Sequence, residues 1–529
     1  MSGTNPPLTG LRMLPVTERQ RTREAAAGVP LGALIGLLAG AAALGVAELA
    51  AAFTGPRSAP LIAVGGTAVD LTPEWLKDFA IRTFGTHDKQ VLLGTVAAGA
   101  VVCAALIGVL ARRHRVPASG GLALLGLAGV AAALTRPSTT AVAAVPALAG
   151  TAAGVAALLL LSARAARAAA AHRACGDRRG FLFGAGGTVL VAALSGTAGR
   201  LLAGRRSVAG ARRNLRLPAP SSPAAPLPAG AGLRVPGVTP FVPPGRDFYR
   251  VDTALVLPQV DPGTWTLRVH GMVDRPFEIT FDELLRLPLL ERDITLTCVS
   301  NEVGGPYAGH ARWLGASLPE LLRRAGVRSG ADQVLSRSAD GFTASTPIET
   351  VMDGRDALLA VGMNGEPLPI AHGFPARLVV PGLFGYVSAT KWVVDLKVTR
   401  FADDRAYWTR RGWADHAPVH TMARIDVPGA LKRVRAGWVP VAGVAWAQHR
   451  GIAAVEVRVD GGPWRRAHLA PVPNTDTWRQ WFLEWDAAPG THRLEARATD
   501  ATGAVQTERR ADPYPSGATG WHSVVVTVT

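Results

Sequence analysis

Apolar positions fall along this chain in two regimes. Over roughly the first two hundred residues they form long, nearly unbroken runs of Ala, Leu, Gly and Val. A helix needs about 20 mostly apolar residues to cross the hydrocarbon core of a bilayer. Five stretches predict such spans: Val29–Phe53, Val91–Ala111, Gly120–Leu134, Thr139–Leu161 and Phe181–Ala203. The third is the shortest, and its small residues point to packing against neighbouring helices rather than lipid. From about Leu217 to Pro244 the chain turns to Pro, Ala and Gly (LPAPSSPAAPLPAGAG). That composition buries too little apolar surface to fold by itself and predicts a semi-rigid tether.

Past the tether, short alternating stretches replace the long runs. Thr266–Val269 reads as a strand running to a turn at Gly271, and Phe281–Leu287 as a short helix capped by Thr280 or Asp282. Ile294–Cys298 is a predicted strand, Leu318–Ala325 a helix, and Arg377–Val380 a strand ended by Pro381-Gly382. This mixed order, with no G-x-G-x-x-G at a strand end, predicts an α+β domain rather than a dinucleotide fold. Around Tyr407 the texture becomes all-β. Val455, Val457 and Val459 alternate with Glu456 and Arg458 before a hairpin signal at Asp460-Gly461. The stretches LEARATDATG and SVVVTV alternate too, and with Trp464, Trp481 and Trp485 as anchors they predict an immunoglobulin-like sandwich without a disulfide. The expected organisation is therefore a helical membrane anchor over residues 1–204, a linker over 205–244, an α+β domain over 245–405 and the all-β sandwich over 406–529.

Composition supports the division. Of 529 residues 48% are hydrophobic, and mean hydropathy is +0.20, high for a chain without membrane segments. Net charge is +17, from 56 Lys+Arg against 39 Asp+Glu. Much of the arginine flanks the apolar runs: Arg19, Arg21 and Arg23; Arg112, Arg113 and Arg115; Arg164, Arg167, Arg173, Arg178 and Arg179. With no nucleic-acid motif beside it, this pattern reads as a topology signal rather than as DNA or RNA binding. The basic segments belong on the cytoplasmic side. The connection Gly55–Lys89 balances Arg57, Lys77, Arg82 and Lys89 with Asp70, Glu74, Asp78 and Asp88, and the short turn at Arg136-Pro137 is nearly uncharged, so both belong outside. An odd number of spans then puts the C-terminal half outside the cytoplasm. Arg205, Arg206, Arg212, Arg213 and Arg216 after the last span pull the other way.

The segment entering that span weighs against the conflict. Asp177-Arg178-Arg179-Gly180-Phe181-Leu182 resembles a twin-arginine export signal, although two anchoring arginines are the plainer alternative. Such signals export folded, cofactor-loaded proteins, so the resemblance implies that the C-terminal half is loaded before crossing. The spans themselves hold little chemistry. His87, His114 and His172 lie in connections, which leaves no axial pair for a haem, and Glu48 is the one carboxylate in the first span. A structural anchor fits better than a transporter, whose substrate path calls for intramembrane charge.

The chain has three cysteines. Cys103 lies in an apolar run, Cys175 in a basic loop, and Cys298 at the end of a predicted strand leading into a Gly-containing loop (ITLTCVSNEVGG). A lone cysteine is ordinarily a small buried hydrophobe. Structural zinc needs four ligands, and no histidine partner for a cysteine nucleophile is identifiable. A thiolate at a loop edge also suits a redox transition metal.

The Cys298 run resembles the cysteine loop of the sulfite oxidase family of molybdopterin enzymes. The resemblance continues through ARWLGASLPELL (Ala311–Leu322), MNGEPLPIAHGFPARLVVPGLFGYVSATKW (Met363–Trp392) and VAWAQHRGIAAVEVRVDGGPW, which looks like the family's dimerisation domain. It implies Cys298 as the protein's ligand to molybdenum. It implies His372 and Arg377 as holders of the pterin phosphate and ring, and Ser388 and Lys391 as part of the pterin-binding loop, with Gly385 allowing close backbone approach. Phe248, Tyr249 and Arg250 match the family's entry segment against the cofactor. Read without the resemblance, His372 is a loop histidine, Arg377 a strand-edge charge and Tyr249 plain core.

The family also implies a molybdenum–molybdopterin cofactor, a small-molecule substrate and two-electron oxygen-atom transfer. The expected partners are a separate electron carrier or quinone-linked membrane protein, membrane lipid and a second copy of the chain. One departure bears on substrate. Where sulfite oxidases proper carry arginines soon after the cysteine, this chain has Val299-Ser300-Asn301-Glu302-Val303. An acid there disfavours sulfite and leaves reduction of an S- or N-oxide beside oxidation of a small oxyanion. A membrane-tethered binding module with a metal-free enzyme fold is the alternative from a different class.

Overall fold

The computed structural model describes residues 18–73, 76, 79, 83–84, 88–136, 140–170 and 178–529. The readings made above on Glu74, Lys77, Asp78, Arg82, His87, Pro137, His172, Arg173, Cys175 and Asp177 lie outside the described residues. The chain divides into two compact units, Met1–Arg206 and Ser207–Thr529.

The first unit is helical. Among the described residues five apolar helical stretches are long enough to cross a membrane: Val29–Thr54, Lys89–Ala111, Arg115–Leu134, Ala141–Ala168 and Arg179–Asn214, the last running on into the second unit. The helix Glu18–Thr54 packs against Asp88–Ala111, Val145–Ala170 and Arg178–Arg205. Small residues set these approaches. A Cβ added to Gly36 would meet Ala104 O at 1.9 Å, and one on Gly108 would meet Gly32 O at 2.2 Å, so only glycine allows the two backbones this close. Arg115–Leu134 begins five residues before the apolar run suggested. Pro117 is accommodated in its first turn, where the missing N–H has no intrahelical acceptor to lose. A further apolar helix, Pro60–Leu71, occupies part of the connection after the first span and is too short to cross. Arg136, just after Arg115–Leu134, holds it through an ion pair with Asp70 at 3.0 Å.

The second unit holds four sheets. One runs in the order β3 (Leu289–Thr297), β4 (Ala308–Ser317), β7 (Leu358–Met363) and β8 (Glu366–Pro367), with β9 (Arg377–Val379) also paired to β7. The second runs β2 (Phe277–Thr280), β1 (Thr266–Gly271), β10 (Val393–Thr399), β5 (Gln333–Ser338) and β6 (Thr343–Pro347), with β1 and β10 parallel. Local signals act where the sequence placed them. Thr280 caps the helix Phe281–Arg286 in a reciprocal capping box with Glu283, and Leu318–Ala325 starts on the Ser317 hydroxyl and stops at left-handed Gly326.

The all-β part comprises two more sheets. They run β11 (Met422–Val427), β13 (Gly437–Trp446), β17 (Arg479–Ala487), β16 (His468–Leu469), and β12 (Arg433–Val434), β19 (His522–Val528), β18 (Gly490–Asp500), β14 (Ile452–Val459), β15 (Arg465–Arg466). They share one core that includes Val455, Val457, Trp481 and Trp485. The β14–β15 turn carries Asp460 and Gly461 at φ 52° and 71°, the left-handed pair a tight hairpin needs.

The Pro/Ala-rich segment departs from the tether reading. Arg212 binds the carbonyls of Pro367 and Leu368, and Ser221 and Ser222 exchange backbone bonds with Leu289 and Glu291 on β3. Phe241 is buried, and its carbonyl accepts from Trp478 Nε1 at 2.9 Å. A segment that cannot build a core has here joined one belonging to others.

Candidate active site

Side chains on β3 alternate. Ile294 and Leu296 enter a core with Phe248, Trp313 and Phe374, and Cys298 continues that face. Asp293, Thr295 and Thr297 take the other face. Cys298 is a free thiol, buried, with its N–H donating to Tyr307 O at 2.9 Å. The loop behind it closes through Asn301 N–H to Cys298 O (3.1 Å) and Tyr307 N–H to Asn301 Oδ1 (2.8 Å). Burial pushes the thiol pKa up, against the pull of donors at Ser300 and Val299 and the charge of Lys391. A positive ligand reaching the sulfur would reverse that balance and stabilise the thiolate.

Tyr249 stacks on Phe248 (5.1 Å between centroids), which meets Trp313 and His372 edge-on at 5.7 and 5.4 Å. Burial, then Cys298, hold the Tyr249 hydroxyl protonated against the opposing pull of Arg377. Its hydroxyl therefore remains a donor.

Arg377 opens β9 at only 4% exposure. Its Nη1 donates to His372 O at 3.0 Å, its guanidinium lies 4.9 Å from the Trp313 ring, and its buried Nε has no partner. No carboxylate pairs with it among the described residues, and burial lowers its pKa to about 10. Lys391 is anchored to Asp252 at 2.9 Å and to Ala371 O at 3.3 Å, with burial bringing it down to about 8. His372 is lowered to about 3 by burial and by the Arg377 and Lys391 charges, so it is neutral at physiological pH. Gly373, at φ 111°, lets this turn close: an added Cβ would lie 3.0 Å from Arg377 Cβ and 3.2 Å from Lys391 Cα.

The structure thus gathers Cys298, Phe248, Tyr249, His372, Arg377 and Lys391. Arg250 lies at their rim, 41% exposed at the side chain and bonded to Asp252 at 2.8 Å. Gly385 lies near the group, but a Cβ there would find only ordinary contacts, 3.7 Å to Thr297 O and 3.9 Å to the Tyr249 hydroxyl, so the protein's own packing does not require glycine at this position. The Ser388 hydroxyl is spent locally, on Leu383 O and Phe384 O at 3.1 and 3.0 Å.

Three participants escaped the sequence reading. Asp252 holds Lys391, Trp313 floors Arg377, and Asn301 buries an amide Nδ2 with no partner. Asp252 stands two residues beyond Arg250, a spacing that points to nothing without the fold. Trp313 and Asn301 lie within quoted motifs, but no local pattern distinguishes them from core. Glu302, by contrast, is exposed.

Arg377 and Lys391 are buried cations and Arg250 a third at the rim, against the one carboxylate Asp252. Such a field suits a bound anion, and a rigid guanidinium fork with a spare donor suits phosphate. The thiol in the same cluster suits a soft metal. No group of three or more His, Cys, Asp or Glu able to hold a metal occurs among the described residues, so other ligands to such a metal would come with the bound group. The residues fit a phosphate-bearing, metal-carrying cofactor.

Residues 254–408 match the family profile described as an oxidoreductase molybdopterin binding domain. The chain is 30% identical over 293 residues to mitochondrial sulfite oxidase of Mus musculus, covering 46% of this chain and 53% of that protein. It is 31% identical over 180 residues to the uncharacterized oxidoreductase YuiH of Bacillus subtilis (strain 168), covering 32% of this chain and 85% of that one. It therefore spans about half the length of the mouse enzyme and most of YuiH. Among solved structures, the sulfane dehydrogenase SoxCD from Paracoccus pantotrophus is similar at 25% identity with a TM-score of 0.48, covering 54% of this chain and 83% of that chain.

Proposed function

This chain belongs to the sulfite oxidase family of molybdopterin oxidoreductases, and from that premise we propose that it is a membrane-anchored enzyme working outside the cytoplasm with Cys298 as its ligand to molybdenum. The cofactor of the family is molybdenum–molybdopterin. When bound, it supplies a metal centre that exchanges an oxygen atom and two electrons with a small substrate.

The chain's own residues prepare that chemistry. Arg377 offers buried donors to the cofactor's anionic arm, and Lys391, held by Asp252, adds positive charge beside it. Neutral His372 contributes a hydrogen bond without adding to the local repulsion. The Tyr249 hydroxyl, kept protonated, is a donor available within the same cluster. The observation that carries the reading is Arg377, a buried guanidinium with a spare donor and no carboxylate, in one cluster with the Cys298 thiol.

The apolar helices are the proposed anchor, with arginines at 112–115 and 164–167 on the cytoplasmic side. The proposed substrates are a small oxyanion or an S- or N-oxide, and a separate carrier or quinone-linked membrane protein exchanges the electrons. We read the C-terminal sheets as an immunoglobulin-like sandwich of the family's dimerisation type. Metal and pterin analysis of the purified full chain tests the proposal. It predicts near-stoichiometric molybdenum, and a folded chain that carries none after expression with cofactor supply contradicts it.

A further inference from the structure

The loop that carries Cys298 is closed by its own hydrogen bonds and is also held from the all-β part. Gly305 N–H bonds Glu302 O within the loop at 2.8 Å, but Gly305 O accepts from Arg424 Nη1 at 3.1 Å. Arg424, on β11, is 7% exposed. The same guanidinium gives Nε to Asp426 Oδ1 at 2.7 Å and Nη2 to Thr239 Oγ1 at 2.8 Å, while Thr239 N–H bonds Asp426 Oδ2 at 3.0 Å. One planar fork therefore joins the cysteine loop, the Pro/Ala-rich segment and β11, and a flexible ammonium cannot reproduce that geometry.

His522, on β19, packs close to the preceding residue, Gly304. Its Nδ1 accepts from Ile425 N–H at 2.9 Å, so the neutral ring carries its proton on Nε2. The ring is neutral because burial, with Arg424 beside it, lowers its pKa to about 4, while Asp426 pulls upward and Arg510 downward. Nε2 lies against Gly304: a Cβ added there would be 2.1 Å away, and Gly304 holds φ 82°. Upstream, Gln448 Nε2 bonds Thr295 O at 3.1 Å and Thr297 Oγ1 at 2.9 Å, fixing the end of β3 just before the thiol.

We propose that Arg424 and His522 are positioning residues that set where the Cys298 thiol sits, which makes the C-terminal sheets part of the site's geometry. The proposal rests on Cys298 being the metal ligand, but its test separates the two. Full-length Arg424→Lys keeps the charge and loses the fork. Gly304→Ala pushes the loop from its other side, and His522→Ala added to it restores room. Two measurements read the loop: the thiolate-to-molybdenum charge-transfer band of the loaded enzyme, and the alkylation rate of Cys298 in chain produced without cofactor.

Both single variants are expected to shift the band. They should speed Cys298 alkylation about tenfold while Cys103 is unchanged, and lower kcat by about tenfold to a hundredfold with little change in KM, as a small misplacement of a reacting group does. Adding His522→Ala should reverse part of the Gly304→Ala effect. A core variant remote from the loop, Val457→Ala, serves as the stability-matched control. Unchanged band and alkylation in folded Arg424→Lys and Gly304→Ala overturn the proposal, and so does an equal effect from Val457→Ala. Alkylation of the cofactor-free chain reads the loop whether or not Cys298 binds metal, so failure of the ligand reading alone leaves it decisive.

Discussion

Arg377 has a backbone acceptor at His372 and an aromatic floor at Trp313, and its Nε is left over. A guanidinium buried in this way is destabilising until an anion reaches it. Arg377→Met should therefore leave the cofactor-free chain as stable as before or more so, by about 1 kcal/mol in thermal or denaturant melts. Cofactor affinity should fall about tenfold or more, since a hydrogen bond to a charged group is worth about 1.5–3 kcal/mol. Lower stability together with undiminished cofactor content contradicts that assignment.

Titration follows from the same burial. His372 is lowered from 6.5 to about 3, so across that window the unfolded chain binds a proton that the fold refuses. The stability is fully present above 6.5 and is lost as pH falls toward 3. Lys391, lowered from 10.5 to about 8, keeps full charge for an anion only below about 8. Melting temperature of the cofactor-free chain should fall between pH 7 and pH 4, and His372→Asn should blunt that fall. An unchanged pH slope removes His372 from the explanation. At this scale the sequence pointed to the cluster through motif resemblance. It could not show Asp252 or Trp313, which become partners only when distant strands and turns converge.

At the scale of elements, periodicity and caps were legible because they are local. The helices Phe281–Arg286 and Leu318–Ala325 and the turn at Asp460-Gly461 follow from residues within a few positions of each other. The Pro/Ala-rich segment was not, because composition reports whether a segment can build its own core and says nothing of whether it docks on another. Here its backbone donors are used by Leu289, Gln480 and Asp426, and Phe241 and Ala231 are buried. Limited proteolysis of the folded chain should leave residues 217–244 uncut under conditions that cleave an exposed linker. Early cleavage there restores the tether.

At the scale of the whole molecule, five long apolar helices among the described residues precede a molybdopterin-type unit, and the proposed topology puts that unit outside. Arg178 and Arg179 open the last of these helices. If they act as an export signal, replacing both with lysine keeps the charge yet leaves the C-terminal half inaccessible to protease added to spheroplasts. A lysine pair that exports normally reduces them to membrane anchors. The central claim, that this fold delivers one thiolate to molybdenum, is tested most directly by X-ray absorption at the molybdenum edge on the intact, cofactor-loaded chain and its Cys298→Ser variant. The account predicts one fewer sulfur neighbour around the metal in the variant. The same sulfur count in both proteins contradicts it.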